Sequence, residues 1–101
     1  MREIEKAFKS LSDEIRLRIL NILLERECCV CEVMQVLGIS QSRASRNLNA
    51  LYDAGLLTLR KEGLWCVYSI NRESIKGYQS HLIEAVKEAL KDNKVAALDK
   101  E

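Results

Sequence analysis

Apolar side chains recur along most of this chain every three to four residues, and along one stretch every second residue. Ile4, Ala7, Phe8 and Leu11 share one face of a short helix predicted over residues 2–10. Ser12 is placed to N-cap the next helix, and Asp13 and Glu14 bring negative charge to its first turn. Ile15, Ile19, Ile22 and Leu23 then repeat at helical spacing, and Leu17, Leu20 and Leu24 widen the arc, so this helix is expected at the centre of the core. Val30, Val33, Met34 and Leu37 stand at i, i+3, i+4 and i+7, with Gly38 placed to end their helix. After Ile39, Ser40 can cap a further helix whose buried stripe is Ala44, Leu48, Leu51 and Tyr52 and which Gly55 closes.

Beyond Gly55 the period falls to two. Residues 57–61 and 64–70 read as strands joined at Glu62-Gly63, and Trp65 is expected to pack in that hairpin. Helical spacing returns from Glu73 to about Asn93, with Ile75, Tyr78, Leu82, Val86 and Leu90 in near-heptad steps, and the residues from Lys94 to Glu101 are expected to fray. Two short helices across a glycine turn, followed by a hairpin, predict a mainly α winged helix-turn-helix. Residues 1–101 form one domain, with the helix-turn-helix at about 30–54, the wing at 57–70 and a C-terminal dimerisation helix at 73–93. A chain of 101 residues is near the low end for an independent core, which dimerisation commonly remedies.

The absence of proline suits long helices, and the net charge of +1 announces no nucleic-acid binding by itself. Distribution changes that picture. Residues 1–27 carry six basic and six acidic side chains, and residues 84–101 carry four and five, but between Glu32 and Asp53 the charged residues are Arg43 and Arg46 alone. On the wheel of the helix after Ser40, the side opposite Ala44 holds Ser42, Arg43, Arg46, Asn49, Ala50 and Asp53, with Gln41 and Ser45 flanking it. Such side chains reach phosphates and major-groove edges, and recognition helices present their N-terminal half to the bases. Arg60 and Lys61, close to the hairpin tip, suit phosphate or minor-groove contact.

Three of the four cysteines, Cys28, Cys29 and Cys31, fall within four positions at the start of the first helix of the pair. The charged N-terminus has no secretory signal and no apolar run approaches a membrane span, so a cytoplasmic protein with reduced thiols is expected. There the cluster points to thiophilic-ion binding or redox sensing. In a continuous helix Cys28 and Cys31 lie about 60° apart and converge, whereas Cys29 and Cys31 lie about 200° apart. Capture of one ion by all three would then distort the first turn, shift the recognition helix and spoil DNA binding. A helix N-terminus also favours the thiolate form that binds such ions. Cys66, away from the cluster, reads as packing. One histidine, no paired catalytic carboxylates and no glycine-rich phosphate loop argue against an enzyme.

The run from Asp13 to Leu20, Cys29-Val30-Cys31-Glu32-Val33, the segment from Ser40 to Leu48, Ala54-Gly55-Leu56-Leu57 and Gly63-Leu64-Trp65 together resemble the ArsR/SmtB family of winged-helix metalloregulators, over roughly residues 5–70. The resemblance implies a homodimeric repressor, joined through its first and last helices, that leaves double-stranded operator DNA on binding As(III) or Sb(III). It implies arsenic ligation by Cys29 and Cys31, and it brings Ser40 and Asn47 into the DNA-reading segment. The third cysteine of the arsenite sensors falls here at Met34, whose neutral thioether is no thiolate, so Cys28 becomes the local substitute. Cd(II), Pb(II) or Zn(II) on the same fold, or a redox or persulfide switch bridging Cys31 to Cys28 or Cys29, remain alternatives. Of the family's zinc motifs on the last helix, only His81-Leu82-Ile83-Glu84 matches, and no Asp-x-His stands near Arg72.

Overall fold

The structure, a computed structural model, describes residues 1–72 and 77–100. The chain runs through α1 (Arg2–Leu11), α2 (Glu14–Glu25), β1 (Cys28–Cys29), α3 (Val30–Leu37), α4 (Gln41–Asp53), β2 (Leu57–Glu62), β3 (Trp65–Ile70), α5 (Tyr78–Leu90) and α6 (Lys94–Asp99). It is a winged helix-turn-helix: α3 and α4 meet across a short turn, and β2 and β3 form the wing. No helix among the described residues is long and apolar enough to cross a membrane.

The core lies where α2, α3, α4 and the base of the hairpin converge, with Ile19, Leu20, Val33, Leu48, Leu51 and Leu56 fully buried. Each apolar stripe supplies one wall, and area removed from water is the main favourable term. Gly38 ends α3 in the left-handed region at φ 66°, a conformation open to glycine without a Cβ penalty, and its N–H donates to the Met34 carbonyl at 2.8 Å. Ile39 follows into the turn, and Ser40 caps α4 by accepting the Arg43 N–H at 3.2 Å.

Several expectations need correction. Asp13, not Ser12, caps α2: its carboxylate accepts the Arg16 N–H at 3.1 Å, while the Ser12 hydroxyl turns back to the Phe8 carbonyl at 3.1 Å. Tyr52 stands 44% exposed at the edge of the α4 stripe rather than within it. The hairpin turns on Gly63-Leu64, since β2 extends to Glu62 and Glu62 pairs with Trp65. Gly63 supplies the positive φ (61°) that the first turn position takes. Trp65 is 57% exposed at the wing tip instead of packed within the hairpin.

The C-terminal region differs most. The start expected at Glu73, with Ile75, lies outside the described residues, and α5 is observed from Tyr78 to Leu90. The expected frayed tail is a sixth helix. Asn93 caps it by accepting the Ala96 N–H at 3.0 Å, and Asn21 of α2 donates to the Ala96 carbonyl at 3.3 Å. Arg18 of α2 grips the buried Asp99 with two hydrogen bonds of 2.8 Å, and that pairing raises the arginine's pKa above its ordinary value. Asp99→Ala should therefore cost about 1–2 kcal/mol, between the values for exposed and buried ion pairs because Arg18 retains some solvent. Urea denaturation of the two proteins, read as the shift in midpoint, checks it.

Candidate DNA interface and cysteine site

The exposed side of α4 carries Gln41, Ser42, Arg43, Arg46 and Asn49, and Ser45 is half-buried beside them. No acidic residue occupies the first turn, so nothing opposes an approaching phosphate there. Among the described residues Arg43, Arg46 and Lys61 form no ion pair within the chain. Ser40 splits its hydroxyl between capping and a 3.3 Å contact with Ser42. Asn49 accepts the Tyr68 hydroxyl at 3.3 Å, which ties the exposed side of α4 to β3.

Two expected DNA contacts are otherwise engaged. Asn47 is buried at 8% exposure, its Oδ1 accepting from Arg16 at 3.0 Å and its Nδ2 donating to the Arg43 carbonyl at 2.8 Å. Arg16 also donates to the Ser10 carbonyl at 2.6 Å and to the Lys9 carbonyl at 3.1 Å. This arginine and asparagine thus join α1, α2 and α4, and the Asn47 side chain is turned to the inner side of α4. Arg60 is held by carboxylates on both sides: its Nη1 and Nη2 donate to the two oxygens of Glu27, the second at 2.8 Å, and its Nε donates to Glu62 at 2.9 Å. The Ser69 hydroxyl adds a 2.6 Å bond to Glu27. Arg60 and then Ser69 hold the Glu27 carboxyl down to about 2.

The cysteine cluster is split by its backbone. Cys28 and Cys29 form β1, paired antiparallel with Tyr68 and Val67 of β3, and the helix begins only at Val30. The expected convergence of Cys28 and Cys31 on one helical face is therefore corrected. Cys28 is 1% exposed, points into the core, and leans on the Arg26 carbonyl at 3.8 Å. Burial pushes its thiol pKa up. Alternation along a strand sends Cys29 to the opposite face of the sheet. Cys29 is the N-cap of α3 with extended backbone (φ −90°, ψ 169°), and its N–H donates to Glu32 at 3.1 Å. Because Cys29 lies outside the helix, the 200° separation from Cys31 does not apply, and the irregular first turn that joint ligation needs is built in.

Cys29 is half-buried and Cys31 exposed. Among the described residues no three His, Cys, Asp or Glu side chains gather closely enough to hold one metal ion. Two thiols at the mouth of α3 are accessible, whereas the third, Cys28, is enclosed in the core. Cys66 is half-buried in β3, opposite Lys61. His81 and Glu84 lie exposed on α5. The pairings of Glu27, Ser69 and Arg16 could not be read from the sequence, since their partners stand 33, 42 and 31 positions away and no local spacing marks such pairs.

A groove of about 300 Å³ between α1 and α5 is lined by Phe8, Leu11, Leu17, Leu82, Val86 and Leu90, with Phe8 53% exposed.

Against known proteins, residues 13–59 match the bacterial regulatory protein, arsR family. The chain is 37% identical to the arsenical resistance operon repressor of Bacillus subtilis over 79% of this chain and 77% of that protein. It is 40% identical to a cadmium resistance transcriptional regulatory protein, the CadC homolog of Staphylococcus aureus, over 73% of this chain and 62% of that one. Among solved structures it resembles the homodimeric winged helix-turn-helix DNA-binding domain of a possible ArsR-family transcriptional regulator from Mycobacterium bovis. The TM-score is 0.75 at 28% identity, covering 92% of this chain and 82% of that one.

Proposed function

The chain belongs to the arsR family of bacterial regulatory proteins, whose fold is that of DNA-binding transcriptional regulators and not of enzymes, and from that premise we propose a homodimeric repressor that As(III) or Sb(III) releases from operator DNA. The observation that carries this reading is the placement of Cys29 and Cys31 at the mouth of α3, the helix packed directly against α4. A thiophilic ion bound there acts on the element that positions the recognition helix. Gln41, Ser42, Arg43, Ser45, Arg46 and Asn49 of α4, with Lys61 of the wing, face the duplex; Asn47 supports them from inside.

Cys29 and Cys31 supply the first two thiolates. Cys28 joins only if β1 peels from β3, which takes its sulfur out of the core, so a two-thiolate site at Cys29 and Cys31 is the arrangement that leaves the sheet intact. Any strain in recruiting a third thiolate would sit between Cys28 and its neighbours, not between Cys29 and Cys31. Binding that is tighter in the DNA-free form than in the DNA-bound form is what release requires. The arsenical-resistance relative favours a trivalent metalloid, and the cadmium-resistance relative makes Cd(II) the natural competitor in the same titration. The test is displacement of a fluorescent duplex by sodium arsenite, antimonyl tartrate and cadmium chloride in parallel: release by the metalloids is expected, and release by cadmium alone would replace the inducer.

A second copy of this chain fits the apolar groove between α1 and α5. Dimerisation aligns two α4 helices for two half-sites of a palindrome. Phe8→Asp should place a charge in that contact, giving a monomer in sedimentation equilibrium at concentrations where the wild type is a dimer.

A further inference from the structure

The four basic side chains assigned to the DNA face differ in one respect: Arg43, Arg46 and Lys61 have no ion-pair partner among the described residues, and Arg60 has two. Its fork is closed over Glu27, the residue that precedes the cysteine strand, and Ser69 of β3 secures the same carboxylate. Strand register makes the neighbourhood explicit. Cys29 pairs with Val67, which pairs with Arg60, so those three form one row across the sheet. Alternation puts their side chains on one face, where Glu27 also meets Arg60. The wing arginine, the acid that holds it and the first cysteine ligand therefore share one surface.

We propose that Glu27, with Ser69, is a latch that withholds Arg60 from DNA and couples the cysteine strand to the wing. Phosphate and the Glu27 carboxylate compete for one guanidinium, and both bind such a fork in the same bidentate manner. On DNA, Arg60 turns to phosphate and leaves Glu27 without its cation beside a polyanion. Free of DNA, the latch is closed. An ion held by Cys29 and Cys31 fixes the segment from which Glu27 projects and so keeps the latch closed. Glu27 is a positioning residue, acting through Arg60. The part concerning the ion rests on the inducer reading above; the competition for Arg60 needs DNA binding alone.

The test is a double-mutant cycle on affinity for a duplex selected by the wild-type protein from a random-sequence pool, with circular dichroism confirming the fold of each variant. Glu27→Gln should tighten binding about three- to tenfold, the scale of two exposed but bidentate ion pairs per dimer. Ser69→Ala should act in the same direction and less. Arg60→Gln should weaken binding, and Glu27→Gln added to it should change nothing further. Sodium arsenite should raise the dissociation constant by a smaller factor in Glu27→Gln than in wild type, with arsenite stoichiometry by native mass spectrometry unchanged. Equal tightening by Glu27→Gln with and without Arg60 would mean a general effect of removed negative charge and would overturn the latch, as would no tightening at all. If arsenite does not release DNA from the wild type, the inducer reading falls, and the DNA arm of the cycle still decides whether Glu27 withholds Arg60.

Discussion

Replacing both Arg43 and Arg46 by alanine should reduce affinity for the selected duplex by at least about a hundredfold at moderate salt, while the protein stays folded and dimeric. Each arginine occurs twice in a dimer, so the double variant removes four cationic side chains from the interface. A base or phosphate contact is worth about 1–3 kcal/mol, and even the lower figure repeated four times exceeds a hundredfold. Both residues are exposed, outside the core and without an ion pair among the described residues, so their loss should leave stability within about 0.5 kcal/mol of wild type. Salt dependence separates their roles. Removing an arginine that sits on a phosphate makes the slope of log affinity against log salt shallower by about 0.9 for each phosphate it neutralised, and removing one that reads a base leaves the slope nearly unchanged. Asn47→Ala gives the opposite pattern: destabilisation first, because Arg16 loses its partner behind α4, and DNA binding weakened only through the orientation of that helix.

The second large effect concerns induction. Cys29→Ser combined with Cys31→Ser should leave DNA affinity within about twofold of wild type and abolish release by arsenite over the range that empties the wild-type complex. Serine keeps the capping position at the start of α3, for which it is a preferred residue, so the fold has no reason to suffer. What it removes is the pair of sulfur donors that a thiophilic ion requires. Cys28→Ser behaves differently. It puts a hydroxyl into a site of 1% exposure among apolar neighbours, so stability falls whatever happens to induction. Cys28→Val or Cys28→Ala, which keep the site apolar, separate the two effects, and retained release in either would assign the response to Cys29 and Cys31 alone.

The order of the helices and the hairpin was legible because each depends on spacing within a dozen residues: the stripes of α2 and α4, Gly38 at the end of α3, the alternation of β2 and β3. What escaped depends on distant partners. A strand of two residues has no periodicity of its own; Cys28 and Cys29 are extended because β3 runs beside them, so helical geometry does not hold at Cys28. The last helix, α6, is short, and its anchor is Arg18, 81 positions earlier. Arg43 and Arg46 stood out by charge alone as candidate DNA contacts, because they are isolated in a neutral stretch, and the fold leaves both exposed on α4. Arg60 looked equally available, and only the fold brings Glu27 across the sheet to hold it.

Thermodynamic reciprocity gives the most direct test of the central claim that metalloid and DNA compete through the protein. Arsenite affinity should be measured by following thiolate-to-arsenic absorbance with the protein alone and with the protein saturated by the selected duplex. Competition predicts arsenite binding at least about tenfold weaker on the duplex, by the same factor by which arsenite weakens duplex binding. Equal arsenite affinities in the two states would contradict it.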